Sequence, residues 1–175
     1  MGVDIAVPCT QVTIRRADVT DADGLRRFLS GLSERTTYRR FFTGLGRVPN
    51  RLLAWLLPHG SSRVVLLAVH ANEIVGHAMY GTAPGNEGAA DLAVVVADAW
   101  QRCGIGRRLI AGLLDTAESH GVGEVRFTIL AGNQPAARFA ARLWPGVRPE
   151  INQGVYEYAL PVAAGAARFS SPARQ

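Results

Sequence analysis

Leu92-Ala93-Val94-Val95-Val96-Ala97-Asp98-Ala99-Trp100-Gln101-Arg102-Cys103-Gly104-Ile105-Gly106-Arg107-Arg108-Leu109-Ile110 decides the architecture, because the apolar period changes inside it. Residues 92–96 are apolar at every position, the pattern of a strand buried on both faces in the middle of a sheet. From Ile105 the period lengthens, and Ile105, Leu109, Ile110, Leu113, Leu114 and Ala117 form a stripe at helical spacing. Residues 97–102 turn the chain between the two. The helix has a defined end: His120 places a cation in the last turn and Gly121 follows where a left-handed residue is wanted.

Working outward, residues 124–130 read as the next strand, which makes the centre of the chain a strand-helix-strand unit. Residues 133–143 read as a helix with Pro135 in its first turn, and 155–160 as a last strand. Upstream, 89–96 is the buried strand, and 64–70 and 74–79 are two strands joined at Ala71-Asn72-Glu73 as a hairpin. Three helices precede them: 21–32, with Thr20 and Asp21 as caps and Leu25, Phe28, Leu29 and Leu32 as the apolar face; 33–42, capped by Ser33; and 50–57, capped by Asn50. Residues 11–15 alternate with β-branched residues as a first strand. The expected organisation is an N-terminal extension over 1–10, one mixed α/β domain over 11–162, and a flexible Ala-, Ser- and Pro-rich tail over 163–175.

A chain of 175 residues suffices for one domain with a real core. Its 48% hydrophobic and 19% charged composition is that of a globular protein, and no apolar run approaches the roughly 20 residues of a membrane helix. Residues 1–10 contain Asp4 and lack a basic start, so no secretion signal is read there and the cytoplasm is the expected compartment. Cys9 and Cys103 occupy neither a disulfide framework nor a metal-ligand spacing; both read as free thiols and no metal is expected. The net charge is +5, carried by arginine alone because the chain has no lysine. Genomic base composition accounts for that absence. The arginines fall in scattered pairs without aromatic interleaving, which argues against nucleic acid and suits a small ligand with several phosphates.

The turn Gln101-Arg102-Cys103-Gly104-Ile105-Gly106 carries the chemistry. Two glycines leave amides unshielded at a helix start, where the first N–H groups lack intrahelical partners and the dipole favours negative charge. Such a turn holds phosphates, with Arg102, Arg107 and Arg108 supplying forked donors; equally, a glycine-rich turn serves close packing alone. The six residues are similar to the Q/R-x-x-G-x-G/A signature of GNAT acetyltransferases, in the family's context of buried strand before and amphipathic helix after. The resemblance spans about residues 11–160 in the order of elements and is most specific over 90–143. It implies the GNAT (acyl-CoA N-acyltransferase) fold, a twisted mixed sheet of six to seven strands with flanking helices, and acetyl-CoA as cosubstrate in the gap where the central strand splays from its neighbour.

Within the superfamily, residues 33–42 and 91–101 look like the bacterial protein lysine acetyltransferase branch. That resemblance implies a protein lysine as acceptor; a small amine or aminoglycoside-type acceptor, or a catalytically silent coenzyme A-binding regulatory module, are the alternatives, in a monomer or homodimer without a membrane partner. It implies further that Gln101, Arg102, Cys103, Gly104, Ile105, Gly106 and Arg107 hold the diphosphate, that Val94, Val95 and Val96 offer backbone groups to the pantetheine arm, and that Asn133 touches the same arm. Asn133 also sits where a helix cap belongs. Asp91 stands where the branch carries a glutamate as general base, one methylene shorter, and Ala140 stands where many relatives carry a tyrosine acid. From the residues alone, an aminium of pKa about 10.4 must lose a proton before attack, which makes Asp91 the first and Glu87 the second candidate base. His77 and Tyr80, on the preceding strand, are further residues placed to face the same cleft, with a structural role as the alternative for His77; Asp98 reads as a residue ordering its own turn, and Arg35, Arg39 and Arg40 as a solvated helix flank.

Overall fold

The computed structural model describes residues 11–44 and 46–163. The expected extension over 1–10 lies outside them, as does the expected tail apart from Ala163. In chain order come β1 (Thr13–Arg16), a 3-10 turn (Val19–Asp21), α1 (Ala22–Ser30), α2 (Glu34–Phe41), α3 (Asn50–Leu56), β2 (Arg63–His70), β3 (Glu73–Ala83) and β4 (Asn86–Val96). After a second 3-10 turn follow α4 (Ile105–Ser119), β5 (Glu124–Leu130), α5 (Gln134–Leu143), β6 (Glu150–Asn152) and β7 (Val155–Pro161). The strands form one sheet of seven, in the order β1-β2-β3-β4-β5-β7-β6. Every pairing is antiparallel except β4 with β5, which is parallel because α4 crosses over between them.

Local chemistry sets most boundaries. Ser33 caps α2 as expected, accepting from the Thr36 N–H at 3.2 Å. Asp21 is the N-cap residue of α1 as expected, without a side-chain bond to that helix; its carboxylate accepts instead from the Asp18 N–H while Asp18 accepts from the Thr20 N–H, a reciprocal capping box that opens the preceding 3-10 turn in place of a cap at Thr20. Asn50 is the first residue of α3, with extended Pro49 before it. The hairpin at Ala71-Asn72 is confirmed, both residues having positive φ (46° and 67°), as a two-residue turn matched to the sheet's twist demands. β4 begins at Asn86, so Glu87 lies on a strand after a tight Pro84-Gly85 turn and not in a loop. β6 was not expected: its three residues are exposed and carry no apolar alternation, and it pairs with β7 through a turn in which Gln153 and Gly154 have positive φ.

The sheet is covered on both faces. Leu109, Leu113 and Leu114 of α4 are fully buried, in one cluster with Leu66, Tyr80, Leu92 and Val125. Leu25, Phe28 and Leu29 of α1 and Leu53 and Leu56 of α3 cluster with Val65, Leu67, Met79 and Val95. Adjacent strand residues thus serve opposite layers, as the two-residue period of a strand requires. Each such buried leucine contributes roughly 1.5–3 kcal/mol.

One irregularity creates the site. The parallel pairing of β4 with β5 runs only through Ala89↔Glu124, Ala90↔Val125 and Asp91↔Arg126. β4 continues to Val96 and stays paired with β3 as far as Gly76↔Val96, while β5 continues to Leu130 paired with β7. Past Asp91 the two central strands therefore diverge, each held by its outer neighbour, and the sheet opens as a fork.

Candidate active site

The fork encloses a cavity of about 120 Å³, below the ~300–1,000 Å³ of a pocket for a drug-sized ligand, so it admits a narrow arm. Leu92, Ala93 and Val94 form one wall and Phe127, Thr128 and Ile129 the other. Asn133, Ala136, Phe139 and Ala140 of α5 close one side, and Arg39 and Arg40 of α2 the opposite side. Past Asp91, β4 is paired with β3 alone, so alternate N–H and C=O groups on its other edge face this gap, an arrangement that suits a peptide-like arm. Val94 lines the cavity, whereas Val95 packs into the core beneath α1 and α3. The Val96 carbonyl already accepts from the Gln101 side-chain amide at 3.1 Å.

At the mouth of the fork, residues 101–106 form the expected turn. Arg102 and Gly104 both have positive φ (66° and 75°), and Gly104 is the N-cap of α4. The first helical bond to close is Arg108 N–H to Gly104 C=O at 3.1 Å, which leaves the amides of Ile105 and Gly106 directed out of the helix end. No atom lies within 4 Å of a Cβ built on Gly104, and one built on Gly106 meets only Phe139 Cζ and Val96 Cγ2, each at 3.9 Å. The glycines therefore keep open an approach that the protein itself does not fill, and amides with a positive dipole line it. These features fit a diphosphate-bearing arm such as that of coenzyme A. Arg102 and Arg107 are exposed beside it. Arg108 is exposed as well but is engaged elsewhere: its Nη2 donates to the Val12 carbonyl at 2.7 Å and ties α4 to the chain before β1. Cys103 is disulfide-bonded and not the free thiol expected.

Gln101 and Asp98 link this turn to α2. The Asp98 carboxylate accepts from the Ser33 N–H (3.0 Å), the Ser33 hydroxyl (2.7 Å) and the Thr36 hydroxyl (2.7 Å), and Gln101 donates to the Thr36 hydroxyl at 3.3 Å. Partial burial pushes the Asp98 carboxyl up, but these hydrogen bonds outweigh it and hold it below the ordinary range. Asp98 thus joins elements 65 residues apart instead of ordering its own turn, and it puts a negative charge at the N-terminus of α2. The far end of α2 is thereby fixed over the fork, with Arg39 and Arg40 on it. Arg40 corrects the expected solvated flank: its Nε and Nη2 are buried without hydrogen-bond partners, and burial pushes the guanidinium down to about 10.

The candidate bases separate. Asp91 is exposed at the neck where β4 and β5 part, on the same sheet face as Ala93 and Val95 and so on the α2 side of the fork, although it does not line the cavity itself. Glu87 is remote, near the turn into β4, and its carboxylate is held below the ordinary range by the amides of Glu87 and Gly85, which makes it a weaker base. Tyr80 is buried and shares a 2.8 Å hydrogen bond with His120 Nδ1 at the end of α4. Asn133 caps α5 as expected, accepting from the Ala136 N–H at 3.4 Å, and it also lines the fork. Phe139 and Ala140 bring no hydroxyl to the cavity.

His77 is structural and does not line the fork: at 1% exposure, its Nε2–H donates to the Leu56 carbonyl at 2.9 Å. Burial, which outweighs this bond, and the nearby Arg40 charge push the imidazole down to about 4. Its ordinary value in the unfolded chain is about 6.5, so protonation favours unfolding. The stability held by neutral His77 is complete above pH ~6.5 and is lost as the pH falls toward about 4, amounting to about 3 kcal/mol. Urea unfolding at pH 7.5, 6 and 4.5 is expected to show this decline. His77→Gln, which keeps a donor for Leu56, is expected to flatten it; an equally steep decline in that variant assigns the effect elsewhere.

Sequence reasoning missed Arg40 and Trp144 as fork residues. Arg40 was legible only as one cation of a polar helix, and Trp144, 4% exposed just after α5, carried no periodic signal.

Residues 31–143 match the model of the family described as the acetyltransferase (GNAT) family. A search of curated proteins returns no match. Among solved structures, the GNAT domain of PAT from S. lividans is 22% identical with a TM-score of 0.79, covering 86% of this chain and 90% of that one. The ribosomal-protein-S18-alanine N-acetyltransferase of Escherichia coli is 19% identical with a TM-score of 0.65, covering 86% and 94%. YncA of Salmonella typhimurium, a structure with its cofactor acetyl-CoA, is 22% identical with a TM-score of 0.66, covering 87% and 94%. At these identities the likeness establishes the fold.

Proposed function

We propose, from the premise that this chain belongs to the GNAT acetyltransferase family, that it is an enzyme transferring an acetyl group from acetyl-CoA to a protein lysine in the cytoplasm. The observation that carries the reading is the fork itself: an opened parallel pair whose mouth is the amide-lined turn at 101–106. Acetyl-CoA, when bound, supplies an activated acyl group and a thiol leaving group. The protein's part is binding, orientation and one proton. The amides of Ile105 and Gly106, with Arg102 and Arg107 beside them, hold the diphosphate. Backbone groups of β4 at Val94 and its neighbours, together with Asn133, align the arm, and a β4 amide stabilises the oxyanion. Asp91, on the face from which α2 overlooks the fork, accepts the proton of the incoming aminium, through a water where its short side chain does not reach. No side chain protonates the departing thiolate at Phe139 or Ala140; a thiol pKa near 8.5 lets it leave unassisted at modest cost.

A protein acceptor is favoured because no acidic residue lines the cavity, where a polycationic small amine would want several. The PAT likeness of the fold points the same way. One observation favours a silent coenzyme A-binding module instead: Asp91 is exposed and outside the cavity lining. Incubation of the protein with labelled acetyl-CoA and a panel of proteins and small amines separates the readings. Label on lysines of a protein acceptor is the expected result; label only on small amines replaces the acceptor, and tight coenzyme A binding without transfer to any amine leaves the silent module.

A further inference from the structure

Three described residues hold buried side-chain donors or acceptors without a partner: Arg40 (Nε and Nη2), Trp144 (Nε1) and His77 (Nδ1). Two of them, Arg40 and Trp144, line the fork. Both are donors only, since neither a guanidinium nor an indole accepts a hydrogen bond. No acceptor in the fold reaches these donors, and the cavity lining supplies no Asp or Glu to balance the cation. Buried donors are ordinarily paired, and Arg40, a half-buried residue, has two of its three guanidinium nitrogens shut from solvent with no partner to compensate them.

We propose that the fork contains a receptor for a carboxylate carried in by the substrate, with the Arg40 guanidinium as its cation and the Trp144 indole N–H as a further donor. Arg40 is held in place for this. Its helix is anchored by the Asp98 bonds to Ser33 and Thr36, and its guanidinium stacks 4.8 Å from the centre of the Phe41 ring. Burial leaves it protonated at neutral pH, with a value still near 10. The planar guanidinium presents two parallel donors matched to the two oxygens of a carboxylate. A phosphate group is served elsewhere, at the turn before α4, and the fork between is narrow and apolar, with Leu92, Ile110, Phe127 and Ala136 in its wall. That combination suits a short aliphatic chain ending in a small anion. The carboxylate has two sources: the far end of a dicarboxylic acyl chain on coenzyme A, or an acid group beside the amine of the acceptor.

The inference rests on the acetyl-CoA reading, so the test begins with calorimetric binding of acetyl-CoA to the full chain; absence of binding sinks that reading and this inference with it. Succinyl-CoA and butyryl-CoA, alike in length but differing in the terminal carboxylate, are then compared. A roughly 10- to 100-fold preference for succinyl-CoA, lost in Arg40→Met and partly kept in Arg40→Lys, is the result expected if the donor brings the anion. If the thioesters bind alike, acetyl transfer to amino acids is compared with transfer to their carboxamides; an Arg40-dependent preference of similar size assigns the anion to the acceptor. Acetyl-CoA binding with no Arg40-dependent preference in either arm overturns the inference alone. Methionine fills the volume of Arg40 and removes an unpaired buried charge, so the variant is expected to melt at or above the parent temperature.

Discussion

Gly106→Val is expected to lower coenzyme A affinity by roughly 100-fold or more, a loss of about 2.7 kcal/mol, while leaving the melting temperature unchanged or slightly raised. Gly106 is the second residue of α4, in ordinary helical conformation, where glycine is itself about 0.5–1 kcal/mol worse than alanine. A Cβ at this position meets Phe139 and Val96 at 3.9 Å, ordinary contact distance, so the fold accommodates it. The γ-methyls of valine then fill the gap between β4 and α5 through which the arm enters, and shield the amides meant for the diphosphate. Gly104→Val behaves differently. Gly104 sits at φ +75°, a conformation that costs a β-branched residue about 1–3 kcal/mol, so this variant loses stability along with binding. Calorimetry and thermal melts of the pair therefore separate a blocked site from a strained turn. Affinity in Gly106→Val within a few-fold of the parent would remove the α4 turn as the diphosphate site.

Asp91→Ala is expected to reduce the rate of acetyl transfer by about 10²- to 10⁴-fold with the affinity for acetyl-CoA unaltered. The carboxylate lies at the neck of the fork, off the cavity wall, so its removal leaves the arm's contacts in place. What is lost is the group that deprotonates an aminium of pKa about 10.4, and the residual rate should climb with pH as free amine becomes available. Asp91→Glu extends the carboxylate by one methylene toward the α2 side and is expected to match or exceed the parent. Single-turnover measurements across pH 6.5–9.5 check both variants. Transfer by Asp91→Ala at more than a third of the parent rate would show that the proton goes to another acceptor, such as bulk water.

The elements of the site were largely readable residue by residue. The turn at 101–106, the stripe of α4 and the Asn133 cap are local features, each encoded within about a dozen residues, and the structure places them as expected. Other features escaped for physical reasons. β6 is short, exposed and without alternation, and owes its strand geometry to β7. Arg108 and Asp98 read as local groups and instead make contacts 96 and 65 residues away. Arg40 read as one more solvated cation, because a polar helix gives no sign of which of its cations a neighbouring sheet will enclose.

Order and type of elements, the glycine-rich turn before α4 and the family resemblance come from periodicity and short-range stereochemistry, which each segment carries wherever it is placed. The fork, the burial of Arg40 beside it and the retreat of His77 and Tyr80 into the core do not. They arise where two strands share three paired residues and then follow different neighbours, a divergence set by the twist and packing of the whole sheet.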